Sequence, residues 1–275
     1  MLLAMNGATT MTSDLLTDLR ASAENKYDLF EIWAKKLYVY WHKHSTKDLR
    51  KEFDKTGVKP YSINSIEFIT FKTGWQSEAI RIELEKLCEA AKALKCPNIV
   101  VVPSPKPRPD IAMEEVHQNS VKTLLELSDL AKPYGVNLAF EFLGFEWCSV
   151  RTVAQTWAIV KEVNRDNVGM VIDTFHFYVG GSTLESIREV DPNKIFIFHI
   201  NDSEDRPRQT LEDKHRLLPG EGVIPLKDIL TQLKNIGFDR MTSIELFRPE
   251  YWAEDPVAIC RRAKEKTMQV IKQVF

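Results

Sequence analysis

Eight short apolar runs recur along the chain, and an amphipathic segment follows nearly every one. The runs are 2–6 (LLAMN), 29–33 (LFEIW), 59–64 (KPYSIN), 98–104 (NIVVVPS), 137–143 (NLAFEFL), 168–173 (VGMVID), 195–201 (IFIFHIN) and 242–247 (TSIELF). They are short and β-branched or aromatic, as buried strands are. The intervening segments, 13–26, 45–57, 77–95, 113–135, 152–164, 182–190, 226–237 and 255–275, carry apolar residues at helical spacing. Boundary signals agree. Ser-Thr opens the 45–57 segment and Gly57 closes it, and Ser-Asp opens the 13–26 segment. Strands that alternate with helices pair in parallel through right-handed crossovers. Eight units in 275 residues, about 34 residues each, predict a closed (β/α)8 TIM barrel spanning 1–275 as one domain. An open doubly wound sheet is the rival, but the first strand leads into NGATT rather than a glycine-rich phosphate loop.

The composition narrows the function classes. A net charge of -2 gives no broad attraction to nucleic acid. No apolar stretch reaches the ~20 residues of a membrane-spanning helix. The opening MLLAMNGATTMTSD lacks the basic and apolar regions of a secretory leader. Cys88, Cys96, Cys148 and Cys260 show no CxxC spacing and read as reduced, packed thiols. A cytoplasmic location is the expectation.

In a barrel of this kind the active site lies at the C-terminal ends of the strands. Run five ends in Glu141, run six in Asp173 with His176 three residues on, run seven in His199 followed by Asp202, and run eight in Glu245 followed by Arg248. Singly, each has an ordinary reading: Glu141 as an ion-pair partner, Asp173 as a helix cap, His199 as a core histidine. Jointly, four consecutive strands end in metal-ligand residue types. Burying them together is very unfavourable unless a cation neutralises them. Three carboxylates and one imidazole without a thiolate suit a hard or borderline divalent ion. Zinc or manganese stand ahead of cobalt or magnesium.

The stretches AFEFLG, GMVIDTFHF, IFIFHINDSED, HRLLPGEGVIPL and TSIELFRPEYW resemble the xylose-isomerase-like sugar phosphate isomerase/epimerase barrels. LSDLAKPYGV, VNRDNVG, DTFHF and IELFRPEYW are similar, more narrowly, to the inosose isomerase branch of bacterial inositol catabolism. The resemblance implies metal ligands Glu141, Asp173, His199 and Glu245. It also implies a 1,2-proton shift between 2-keto-myo-inositol and 1-keto-D-chiro-inositol through an ene-diolate. Glu141 and Glu245 are the expected proton-transfer pair, each with one oxygen on the metal. His176 matches a substrate-contacting histidine of related ketose epimerases. Those epimerases carry a further Glu six residues after the strand-five ligand; here Trp147 stands there and Glu146 one position earlier. Their Arg six residues after the strand-seven His is replaced by Asp205, with Arg206 next to it. Both departures argue against a sugar 3-epimerase.

Further pocket candidates are Arg216, which precedes PGEG, together with Glu146 and Trp33 at the end of run two. Arg206 and Arg208 lie in the long segment after run seven, where long loops tend to be functional. The expected partner is a small polyol ketone, with no nucleic acid and no membrane. The aromatic segment EIWAKKLYVYWHKH reads equally as a lid or a subunit contact, so a homo-oligomer is open. The competing functions are an inosose dehydratase or ketose epimerase, an endonuclease-type barrel, and a non-catalytic sugar-binding barrel. An endonuclease would need more metal ligands; the early strands supply Glu31 and Glu67 but no terminal His.

Overall fold

The computed structural model describes residues 1–275. Strands β1 (Leu2–Asn6), β2 (Leu29–Trp33), β3 (Lys59–Ile66), β4 (Asn98–Val101), β5 (Asn137–Glu141), β6 (Val168–Asp173), β7 (Ile195–Ile200) and β8 (Met241–Ile244) form one closed barrel in sequence order. Every neighbouring pair is parallel, and β8 closes onto β1 through Leu2↔Met241 to Met5↔Ile244. The (β/α)8 barrel read from the periodicity is therefore the fold.

The two-residue period of a strand sorts its side chains between two cores. Ala4, Leu29, Val100, Val102, Ala139, Val171, Ile197 and Met241 form a small cluster that fills the lumen. The intervening residues, such as Phe140, Ile172 and Phe198, join a cluster of 67 buried residues between the sheet and the surrounding helices. The same alternation fixes what stands above the lumen: two residues on from Leu29, Ala139, Val171 and Ile197 are Glu31, Glu141, Asp173 and His199.

Helices α1 (Leu15–Glu24), α2 (Ala34–Tyr40), α3 (Thr46–Thr56), α4 (Trp75–Leu94), α5 (Met113–Ala131), α6 (Val153–Val163), α7 (Thr174–Gly180), α8 (Leu184–Arg188), α9 (Leu226–Asn235), α10 (Pro249–Trp252) and α11 (Pro256–Ile271) complete the shell. Ser45 and Asp48 make a capping box at α3, and Gly57 ends that helix with φ 75°, the left-handed turn that glycine adopts without strain. Four strands stop short of the apolar runs that announced them, β7 by a single residue. β4 ends before Pro103, which has no N–H for the ladder. β5 ends at Glu141 and β8 at Ile244, where the chain leaves the sheet for the site-forming loops.

The long segment after β7 is ordered by a short antiparallel pairing, Asp202–Ser203 against Arg216–Leu217. Asp202 accepts backbone N–H groups of Ser203 (2.9 Å), Ile224 (2.9 Å) and Gly220 (3.0 Å). A Cβ at Gly222 would lie 2.2 Å from the Ser203 carbonyl, so the PGEG turn can close only on glycine there. The result is that Arg216 is carried back over the barrel mouth.

Candidate metal centre

Register brings the donor residues together. Asp173 of β6 pairs with His199 of β7, His199 pairs with Ser243 of β8, and Glu245 is two residues beyond Ser243. Glu141 ends β5 opposite Val171, two residues before Asp173. One ligand atom from each of Glu141, Asp173, His199 and Glu245 lies within 4.8 Å of the others, and all four residues are buried.

His199 is the hub. Its Nδ1 lies 2.9 Å from Glu141 Oε1, 3.5 Å from Glu245 Oε2 and 3.8 Å from Asp173 Oδ2. Asp173 plays two parts: Oδ1 accepts the His176 backbone N–H (2.8 Å) and caps α7, while Oδ2 accepts from Asn201 Nδ2 and Arg216 Nη1, each at 2.8 Å. The helix-cap reading and the ligand reading of Asp173 are compatible, because the two oxygens face different partners. Burial alone would raise the Asp173 carboxyl, but Arg216, His176 and His199 hold it down at about 2. Burial pushes Glu245 the other way, up to about 8, against the pull of His199. Asn6 and Asn64 donate to Glu245 Oε1 (3.0 and 2.9 Å) and Arg216 Nη1 to its Oε2 (3.0 Å). Glu141 touches the cluster through Oε1.

Three buried carboxylates crowd one imidazole, with Arg216 as their fixed counter-charge. The donor set is all oxygen and nitrogen, which fits a divalent cation of the zinc, manganese, cobalt or magnesium kind. Above the cluster opens a cavity of about 360 Å³ whose polar floor includes Glu141, His176, Arg216 and Glu245. Its walls are aromatic: Trp33, Phe68, Phe145, Trp147 and Phe247.

The remaining sequence candidates divide. His176 is buried and faces Arg216, with Nε2 3.1 Å from Arg216 Nη2; an arginine only donates, so Nε2 accepts. Arg216 is 1% exposed and is held between the rings of Phe175 (4.9 Å) and Phe247 (5.0 Å). Trp33 forms part of the cavity wall, edge-on to Phe247. Glu146 does not line this cavity. Phe145 and Trp147 take the inward positions on either side of it and stack at 5.5 Å, which turns Glu146 outward into a neighbouring groove of about 800 Å³ with Arg151 and Arg208. Arg206 pairs with Glu204, Arg208 lies over Tyr178, and Arg248 also reaches Glu204, so none of the three joins the cluster. Asp202 is a turn organiser. Glu67 pairs with Lys35 at 3.5 Å on the cavity rim.

Asn6, Asn64 and Asn201, all buried around the donors, are not among the sequence candidates, and neither is Glu31 as part of this cluster. From the sequence, Glu31 reads only as an extra ligand that an endonuclease would need. Its place in LFEIW, two residues after lumen-facing Leu29, was the available signal. Asn6 and Asn201 gave a weaker one, as polar residues at the ends of apolar runs.

Closed barrel, buried donor cluster and overlying cavity define a metal-site TIM barrel, and the chain belongs to the xylose isomerase-like TIM barrel family, whose model matches residues 19–264. It is 41% identical to the inosose isomerase of Bacillus velezensis, over 100% of this chain and 99% of that protein. It is 27% identical to the 2-oxo-tetronate isomerase of Haemophilus influenzae, over 77% of this chain and 83% of that one. Among solved structures, a crystal structure of the IolI protein with a bound zinc atom superposes with a TM-score of 0.97 at 41% identity, covering 100% of this chain and 99% of that one.

Proposed function

We propose that the chain is an inosose isomerase. It interconverts 2-keto-myo-inositol and 1-keto-D-chiro-inositol, with Glu141, Asp173, His199 and Glu245 holding one divalent cation, zinc or manganese foremost. The observation that carries this reading is the buried four-donor cluster under a polyol-sized cavity in a chain 41% identical, end to end, to an inosose isomerase. The aromatic walls suit the C–H faces of a carbon ring, and the polar floor suits its oxygens.

A cation bound there supplies Lewis-acid stabilisation for negative charge on the ketone oxygen and its neighbour. The protein's own groups supply the rest. Arg216, anchored by Asp173 and Glu245, presents a fixed positive charge at the cavity floor. His176, whose Nε2 accepts from Arg216, carries its own proton on Nδ1 and is placed to contact a substrate hydroxyl. Glu141 and Glu245 both face His199 Nδ1; one takes the proton from the carbon beside the ketone, the other returns a proton to the former carbonyl carbon, and the hydroxyl proton passes to the former ketone oxygen. Burial suits Glu245 to this work, because it raises a carboxyl toward neutral pH.

Proton NMR of 2-keto-myo-inositol in deuterated water tests the proposal. The metal-loaded protein produces the second ketone with deuterium at the former carbonyl carbon, and the chelated protein does not. Loss of water from the substrate instead would make the chain a dehydratase, and inversion without carbonyl migration would make it an epimerase. Neither exchange nor product would leave only the fold.

A further inference from the structure

Glu31 lies outside the four-donor set, yet it is fully buried at the centre of the barrel mouth. It stands on the opposite side of His199 from the other carboxylates. His199 Nε2 is 3.0 Å from Glu31 Oε1 and 3.2 Å from Oε2, while Nδ1 faces Glu141, Glu245 and Asp173. Glu31 Oε1 also accepts from Asn6 Nδ2 (2.8 Å) and Asn64 Nδ2 (2.7 Å). The orientation of Asn6 is fixed independently, since its Oδ1 accepts the Ala8 backbone N–H at 2.8 Å. Each of the two amides donates to Glu31 Oε1 and also to Glu245 Oε1, as the two hydrogens of one amide nitrogen allow. Every neighbour of Glu31 in this set is thus a donor, and the carboxylate is held as an acceptor.

A neutral imidazole has one N–H and one lone pair. Both ring nitrogens face carboxylate oxygens here, Nδ1 at 2.9 Å from Glu141 and Nε2 at 3.0 Å from Glu31; with a cation on the Nδ1 side, the hydrogen sits on Nε2 towards Glu31 and the lone pair on Nδ1. We infer that Glu31 is the positioning residue of the metal centre: it fixes the tautomer and ring plane of His199 so that Nδ1 is offered to the cation, while the Asn6 and Asn64 amides tie that carboxylate to ligand Glu245. A carboxylate behind a ligating histidine also makes the nitrogen more basic as a donor. The assignment rests on the reading that Glu141, Asp173, His199 and Glu245 hold a cation, and it adds a fifth acid with a different task. It also accounts for an acid on the innermost face of an otherwise apolar strand, LFEIW, far in sequence from every ligand.

The test measures metal binding rather than turnover. Zinc affinity is determined by competition with a chromophoric chelator for the wild type, Glu31→Gln and Glu31→Asp. Partners of this kind are worth about 10- to 100-fold in metal affinity, and that loss is expected for Glu31→Gln. Its metal-free fold should match the wild type by circular dichroism. Glu31→Asp keeps the charge but draws it back from Nε2, so its affinity falls between the two. Nitrogen-15 NMR of histidine-labelled, zinc-loaded wild type gives a readout that needs no variant: His199 shows a proton on Nε2 and zinc on Nδ1. Unchanged zinc affinity in a folded Glu31→Gln, or a proton on Nδ1 in the loaded wild type, overturns the assignment while leaving the metal site intact. A wild type that binds no divalent ion at all overturns both the assignment and the proposed function.

Discussion

Removing the Arg216 guanidinium should expose the charge balance of the site. Nη1 donates to Asp173 (2.8 Å) and Glu245 (3.0 Å), and Nε and Nη2 reach Asp213 at 3.1 and 3.0 Å. Asp173 and Glu245 are buried, whereas Asp213 is 42% exposed and can turn to water. Arg216→Met keeps length and burial but leaves two interior carboxylates without their cation. Breaking a buried pair in this way costs about 3–5 kcal/mol. The cost depends on what else neutralises the acids. With a divalent ion bound, Asp173 and Glu245 face a second cation, and the loss should shrink to about 1–2 kcal/mol, the scale of lost hydrogen bonds alone. Taking a positive charge away from the centre also favours the ion, so the variant should bind zinc more tightly than the wild type. Urea unfolding of both proteins in chelator and in saturating zinc gives the four stabilities. A loss below about 1 kcal/mol in chelator, or an equal loss in both conditions, would refute the electrostatic argument.

Glu245→Gln keeps the shape of the proposed proton-transfer partner and removes its basicity, so exchange of the substrate's carbon-bound proton with deuterated water should slow by roughly 10²–10⁴-fold. Normal exchange together with normal metal content would remove Glu245 from that role. Trp147 is 45% exposed on the cavity wall. Trp147→Ala should raise KM about tenfold, equivalent to ~1.4 kcal/mol, with kcat nearly unchanged, and Trp147→Phe should recover most of the loss. Steady-state kinetics in which kcat alone falls would count against a substrate-facing wall. All four cysteines are buried, and burial pushes the Cys88 thiol up to about 12 and Cys148 to about 11, with Cys96 and Cys260 also raised. Their thiolates are therefore suppressed below those values, and a disulfide reagent at pH 8 should label none in the folded chain and four in denaturant. Rapid labelling of any one in the folded state would contradict that packing.

Much of the fold was legible because two periods are imposed along the whole chain. Runs such as VGMVID can bury both faces only inside a shell of helices, and segments such as 113–135 offer one apolar stripe to such a sheet. Topology then converted strand order into a list of strand ends, and so Glu141, Asp173, His199 and Glu245 could be named together. Arg216 could be named only through PGEG and resemblance, since nothing local shows that Arg216–Leu217 pairs back onto Asp202–Ser203. The placement of Glu146 in the neighbouring groove was not legible because a loop has no fixed period; packing of Phe145 against Trp147 sets which side chains line the cavity. Glu31 was hidden for the opposite reason. An acid inside an apolar strand has no meaning until the barrel closes and sets it 3.0 Å from a histidine 168 residues away.

The most direct test is a crystal of the zinc-loaded protein measured across the zinc absorption edge. One anomalous peak should lie among Glu141, Asp173, His199 Nδ1 and Glu245, with Glu31 on Nε2 and not on the metal. No peak at the barrel mouth, or one ligated by other side chains, would contradict the account.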